Sequence, residues 1–171
     1  MKTLYLLRHA KSDWSLPGQD DHDRALAPRG ERAALVIGRY IARCDPPPDA
    51  ILCSSAVRAR RTLDLAASQW PETPPIEIDR RLYLAGAGGI LARLAKVADA
   101  VDSLMVVGHN PDMQALAMHL AKDGPTDLLS ALASKFPTAA LAAITLPLEH
   151  WRDIGTASGT LTDFATPKTL V

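Results

Sequence analysis

Three short stretches hold most of the residues in this 171-residue chain that could do chemistry: Arg8–His9, Ser54–Ser55 with Arg58 close behind, and Gly108–His109–Asn110. Two arginines and two histidines suit a phosphoryl group. The planar fork of arginine matches phosphate oxygens in pairs and keeps its charge at any physiological pH. A neutral imidazole can act as a nucleophile, and a second, protonated imidazole can donate to the equatorial oxygens as charge redistributes. Phosphoryl transfer is catalysed largely by such positioning and charge stabilisation. With side chains supplying the cations, no metal and no cofactor is required.

These residues must be brought together by elements readable in the same sequence. Thr3–Leu7, Ala50–Cys53, Ile76–Ile78 and Ser103–Val107 read as buried strands, each followed by a helical segment. Pro28 sits well at the first position of a helix, and Ala33, Val36, Ile37, Tyr40, Ile41 and Cys44 recur at helical spacing as one apolar face. Leu63, Ala66, Ala67 and Trp70 form a second stripe. Ile90, Leu94, Val97 and Val101 mark a helix near Ile90–Ala98, and Met113, Leu116, Ala117 and Leu120 a helix begun by Pro111. Ala139–Leu146 and Gly159–Ala165 read as late strands with no helix between them.

This order predicts an α/β fold: a three-layer αβα sandwich with a mostly parallel sheet and an antiparallel addition near the C-terminus, in one domain over residues 1–171. Parallel strands share a carboxyl edge, where open α/β sheets bind ligands. Arg8–His9, Ser54 to Arg58, and His109 all follow strands and are expected to converge there.

The same residues resemble the blocks of the histidine phosphatase superfamily. Leu7–Arg8–His9–Ala10 is similar to its Arg-His-Gly/Ala signature, and Ser54 through Arg58 to Thr62 is similar to its Ser-x-x-x-Arg-Ala-x-Gln-Thr block. Val107–Gly108–His109–Asn110 is similar to the block that carries its second histidine. The match runs in order from Thr3 to about Leu120. The opening Arg8–Ser12, the segment Asp23–Gly30 and the closing segment Thr138–Pro167 look most like the short SixA-type phosphohistidine phosphatases. The resemblance implies a hydrolase in which His9 is transiently phosphorylated while Arg8, Arg58 and His109 bind the phosphoryl group.

Two departures from the family pattern bear on the substrate. Arg61 stands where the second block usually has glutamine. The stretch Arg80–Arg81–Leu82–Tyr83–Leu84–Ala85 has no carboxylate where many relatives carry a glutamate general acid. Ester hydrolysis benefits from protonation of the leaving oxygen, whereas the P–N bond of phosphohistidine is labile and its leaving group is an imidazole. Phosphohistidine in a protein is therefore the expected substrate, with small phosphoesters as the alternative. A phosphate- or phosphoprotein-binding module without turnover is the competing reading from another class. Asp13, Asp21 and His22 in the long loop Lys11–Ala27 are the candidate proton donors. Phosphoglycerate mutase activity does not fit a chain this short that lacks the carboxylate.

Composition narrows the partners. Nineteen basic and nineteen acidic residues cancel, so no global field draws the chain to nucleic acid or to a membrane surface. A 47% hydrophobic, 22% charged composition is that of a globular protein with a real core. The apolar run Leu4–Leu7 is too short for a signal peptide, and a cytoplasmic location is expected. Cys44 and Cys53 are too few for a disulfide scaffold, and Cys53 reads as a buried free thiol. Asp20–Asp21–His22–Asp23 lacks calcium or zinc spacing and reads as a solvated or substrate-facing loop. Gly86–Ala87–Gly88–Gly89 reads as a turn and helix start. Arg60 and Arg61 read as a solvated helix face, and His119 and His150 as structural or exposed.

Overall fold

Short strands with apolar residues on both faces build the centre of the protein. The computed structural model describes all of Met1–Val171. Strands β1 (Lys2–Arg8), β2 (Ala50–Ser54), β3 (Ile76–Asp79), β4 (Ser103–Gly108), β5 (Ala121–Asp123), β6 (Leu141–Leu146) and β7 (Gly159–Ala165) form one seven-stranded sheet in the order β3-β2-β4-β1-β6-β7-β5. β6 runs antiparallel to β1 and to β7, and every other pairing is parallel. The helices are α1 (Pro28–Ile41), α2 (Val57–Ala67), α3 (Gly86–Leu94), α4 (Asp112–Leu120) and α5 (Thr126–Ser134).

Alternation along the strands splits the core into two layers. Leu4, Leu6, Leu104, Val106, Ala142 and Ile144 face one side, where Ile90, Leu94, Leu116, Leu120 and Leu132 of α3, α4 and α5 cover them. Tyr5, Leu7, Met105, Val107, Leu141 and Ala143 face the other, against Ile37, Ile41 and Leu63 of α1 and α2. Burying each such leucine or isoleucine contributes roughly 1.5–3 kcal/mol. No helix is long and apolar enough to cross a membrane.

The fold class and the placing of the antiparallel addition agree with the sequence reading, and several details differ. The buried face of α1 is Gly30, Ala34, Ile37, Gly38 and Ile41, whereas Ala33, Val36, Tyr40 and Cys44 are only half-buried. Close approach of α2 explains the shift. A Cβ on Gly38 would lie 2.5 Å from the Ala66 carbonyl oxygen, a contact that an apolar-stripe count does not register. α3 starts at Gly86, within the stretch read as a turn and helix start, but ends at Leu94 rather than Ala98, so Val97 and Val101 pack on the core from beyond its end. β5 and α5 were not expected, because the stretch after α4 is short, polar at intervals and buries only Leu132 of α5 fully.

The α1–α2 contact yields a test. Gly38→Val should destabilise the protein by about 1–3 kcal/mol or more in urea unfolding. Gly155→Ala, whose added Cβ meets nothing within 4 Å, should stay within about 0.5 kcal/mol of the native chain.

Candidate active site

The register of the central strands sets the site. Arg8 pairs with Gly108 across β1 and β4, and Cys53 pairs with Val107 across β2 and β4, so the three strands end nearly flush. The His9 amide then donates to the Gly108 carbonyl at 3.0 Å. Arg58 projects from the first turn of α2. Thr62, one turn on, donates to the Arg58 carbonyl at 2.7 Å and accepts from the Ala10 amide at 2.9 Å, tying α2 to the segment after β1.

His9, Arg58 and His109 are buried, with 7%, 8% and 6% exposure. The His9 and His109 rings lie 5.2 Å apart, and Arg58 Nε is 3.3 Å from His9 Nε2. His9 Nδ1 is 2.7 Å from the Ala10 carbonyl oxygen. A carbonyl can only accept, so Nδ1 carries the proton and Nε2 keeps its lone pair. Burial pushes the His9 pKa down to about 3; the Ala10 carbonyl opposes this, while His109, Arg58 and Arg8 add to it. The resting ring is thus neutral, and its Nε2 lone pair accepts from the Arg58 guanidinium.

His109 is also neutral at rest, its pKa lowered to about 4 by burial and then by Arg58. This differs from the protonated donor that the sequence suggested, because two cations and little water surround the ring. A phosphoryl anion in the pocket favours the charged form and reverses that direction. His109 Nε2 is 2.7 Å from Ser54 Oγ, while Nδ1 is buried without a partner. Arg8 donates from Nη1 to the Phe136 carbonyl at 2.8 Å, its Nε is buried unpartnered, and burial followed by Arg58 lowers its pKa. Two guanidiniums that disfavour one another, beside two neutral imidazoles, make a site suited to an anion.

The long loop folds onto this site. The Asp21 carbonyl and carboxylate accept from Arg58 at 2.7 and 3.0 Å, and Tyr83 OH donates to the same carboxylate at 2.6 Å. Those bonds, the Tyr83 one foremost, hold the Asp21 carboxyl below its ordinary range, so it is ionised and acts as an acceptor. Asp13 is half-buried and caps the Ser15 amide at 2.8 Å, with no hydrogen bond to the four central residues. Of the three candidate proton donors, His22 is the one whose geometry leaves it available. Its Nε2 is 2.8 Å from Ser55 Oγ, and its ring meets the Tyr83 edge at 5.0 Å.

Tyr83 was not singled out from the sequence. It lies 5.4 Å from the His109 ring and 5.9 Å from the Arg58 guanidinium, within the stretch noted for its missing carboxylate. An aromatic hydroxyl in that position was the available signal. Arg60 and Arg61 lie on the exposed face of α2, Arg61 within 3.9 Å of Glu31. His119 is near the Gly155 carbonyl at 3.3 Å and His150 near Asp99 at 2.8 Å, both away from the site. Asp20 caps the His22 amide, and no group of three or more acidic, histidine or cysteine side chains is gathered as metal ligands.

The sequence profile of the histidine phosphatase superfamily (branch 1) matches residues 4–89. An uncharacterised protein of Mycobacterium tuberculosis is 39% identical over 164 residues, covering 95% of this chain and all of that one. A crystal structure of the proposed phosphohistidine phosphatase SixA from Agrobacterium tumefaciens is 34% identical, with a TM-score of 0.79 over 97% of this chain and 98% of that one. That of the proposed SixA from Nakamurella multipartitia is 29% identical, with a TM-score of 0.84 over 97% and 96% of the two chains.

The depressed histidine pKa values lead to a pH prediction. Protonation removes the nucleophile's lone pair, so activity is present above the folded pKa and lost below it. The kcat/KM for an aryl phosphate, corrected for the ionisation of the phosphate, should show an acid limb near pH 3, set by His9. A limb at the ordinary histidine value of about 6.5 would mean that the His9 ring is not held neutral by burial.

Proposed function

The chain belongs to branch 1 of the histidine phosphatase superfamily and is a phosphatase of its SixA-like group; on that premise we propose that it removes the phosphoryl group from phosphohistidine in proteins, through a phosphorylated His9. The observation that carries this reading is the His9 ring, with Nδ1 committed to the Ala10 carbonyl and the Nε2 lone pair turned to the Arg58 guanidinium, whose Nε donates to it at 3.3 Å, where an incoming phosphoryl oxygen can take over that donor. In the first step the Nε2 lone pair attacks phosphorus and the bond to the substrate nitrogen breaks, the departing imidazole taking up a proton. In the second, water attacks phosphorus, the bond to Nε2 breaks with its electron pair returning to the ring, and orthophosphate leaves after the water loses a proton. Arg8 and Arg58 balance the phosphoryl charge in both steps, and His109 donates to an oxygen once the anion raises its pKa.

No metal ion is needed in this scheme, since the two guanidiniums supply the positive charge. An imidazole leaves more readily than an alkoxide, which suits a site whose nearest carboxylate, Asp21, is ionised. His22 is placed to exchange protons at the rim. Small phosphoesters with good leaving groups fit the same pocket as poorer substrates. The whole chain works as one domain in this reading, and the two free cysteines suit a reducing cytoplasm.

Phosphate release from a phosphohistidine protein and from an aryl phosphate, measured side by side, tests the proposal. The native chain should act on both and favour the phosphohistidine protein. His9→Ala should lose both activities, along with an acid-labile phosphoenzyme trapped by rapid quenching. Arg58→Ala should cut turnover on the order of 10²-fold or more. Full activity in His9→Ala would refute the covalent route.

A further inference from the structure

Beside the phosphoryl pocket lies an open groove of about 830 Å³ whose charged lining residues are Lys11, Arg29, Lys135 and Lys168, with no carboxylate among its walls. None of the four takes part in an ion pair within the chain. Glu31, the acid nearest to Arg29 in sequence, is engaged by Arg61 at 3.9 Å. Four uncompensated cations in one concavity stand out in a chain whose formal net charge is zero. Surface charges are usually interspersed by sign.

The walls of the groove are tied through the backbone to the site. Lys11 is two residues from His9, so their α-carbons are at most about 7.6 Å apart. Lys135 and Pro137 flank Phe136, whose carbonyl holds Arg8 at 2.8 Å, and the Ala139 amide donates to the Arg8 and His9 carbonyls at 3.1 Å. The wall is also firm, because Gly30 of α1 packs on the Lys11 backbone so closely that a Cβ there would sit 2.2 Å from the Lys11 carbonyl oxygen. α1 begins at this groove without a side-chain cap, adding the partial positive charge of a helix N-terminus.

We infer that this groove docks acidic side chains that flank the phosphohistidine of a protein substrate. The inference rests on the phosphohistidine reading above and adds to it a substrate preference. The four cations come from four separate segments: the turn after β1, the start of α1, the end of α5 and the C-terminal 3-10 turn Pro167–Leu170. A groove of about 830 Å³ is far larger than one compact anion, so its four cations suit several carboxylates of an extended partner. Charge complementarity of this kind sets partner choice and encounter rate more than raw affinity.

Two phosphohistidine peptides of equal length test the inference, one flanked by glutamates and the other by glutamines, with an aryl phosphate as a third substrate. The native chain should show a KM for the glutamate peptide about tenfold below that for the glutamine peptide, at similar kcat, and 0.5 M salt should narrow the gap. The triple variant Arg29→Glu/Lys135→Glu/Lys168→Glu should abolish the preference while leaving aryl phosphate turnover within about twofold, which also shows that it folds. Equal KM values for the two peptides in the native chain, or a preference that survives charge reversal, would overturn the groove assignment and leave the phosphohistidine reading standing. Turnover of the aryl phosphate with neither peptide hydrolysed would overturn both.

Discussion

The pairing of β1 with β4 is the constraint on which the rest of the structure depends. Arg8 opposite Gly108, and the His9 amide on the Gly108 carbonyl, place the two chain reversals that carry His9 and His109 side by side. A slip of one residue would turn Arg8 to the opposite face of the sheet and break the alternation that fills both core layers. Leu4, Leu6, Tyr5 and Leu7 all lose their layer in that case. The same hydrophobic pattern that stabilises the sheet therefore fixes the register of the site, and site geometry and core burial cannot be varied separately.

Around that edge the molecule concentrates an arrangement that is unfavourable without an anion. Burial and then Arg58 lower the preference of Arg8 for charge, and both imidazoles are held neutral. Asp21 and Tyr83 relieve part of this on the solvent side, while Ser54, Thr62 and Ala10 hold the rings and the helix from behind. Strain of this sort persists only because the surrounding strands and helices are rigid. Binding of a phosphoryl group then releases it, which is how preorganised charge lowers a barrier.

Much of this was legible in the sequence, for reasons that differ by residue. β1, β2 and β4 are dense apolar runs, and Arg8, His9, Arg58 and His109 stand at or shortly beyond their carboxyl ends, so the fold class and the clustering of these residues follow from order alone. α4 shows the helical pattern cleanly: Met113, Leu116, Ala117 and Leu120 are its buried residues. The α1 face was misjudged because Gly30, Ala34 and Gly38 pack through small size, which hydrophobicity does not measure. Asp21 and Tyr83 are separated by 62 residues and meet only in the folded chain, so no local spacing reveals their pairing. Thr62 and Ser54 sit within the matched block, yet their bonds to Ala10 and His109 depend on the packing of α2 against β1 and β4.

The state of the thiols has a consequence for redox behaviour. Cys53 lies on β2 next to the site strand, fully buried, and burial pushes its pKa to about 12; Cys44 is half-buried and pushed to about 11. Neither is present as thiolate, the form that peroxide attacks. On the proposed route a ring nitrogen does the work that a thiolate does in cysteine-based phosphatases, so dephosphorylation needs no thiolate. On that route, peroxide concentrations that silence a cysteine nucleophile leave the ring nitrogen able to react, so dephosphorylation would continue under oxidising conditions.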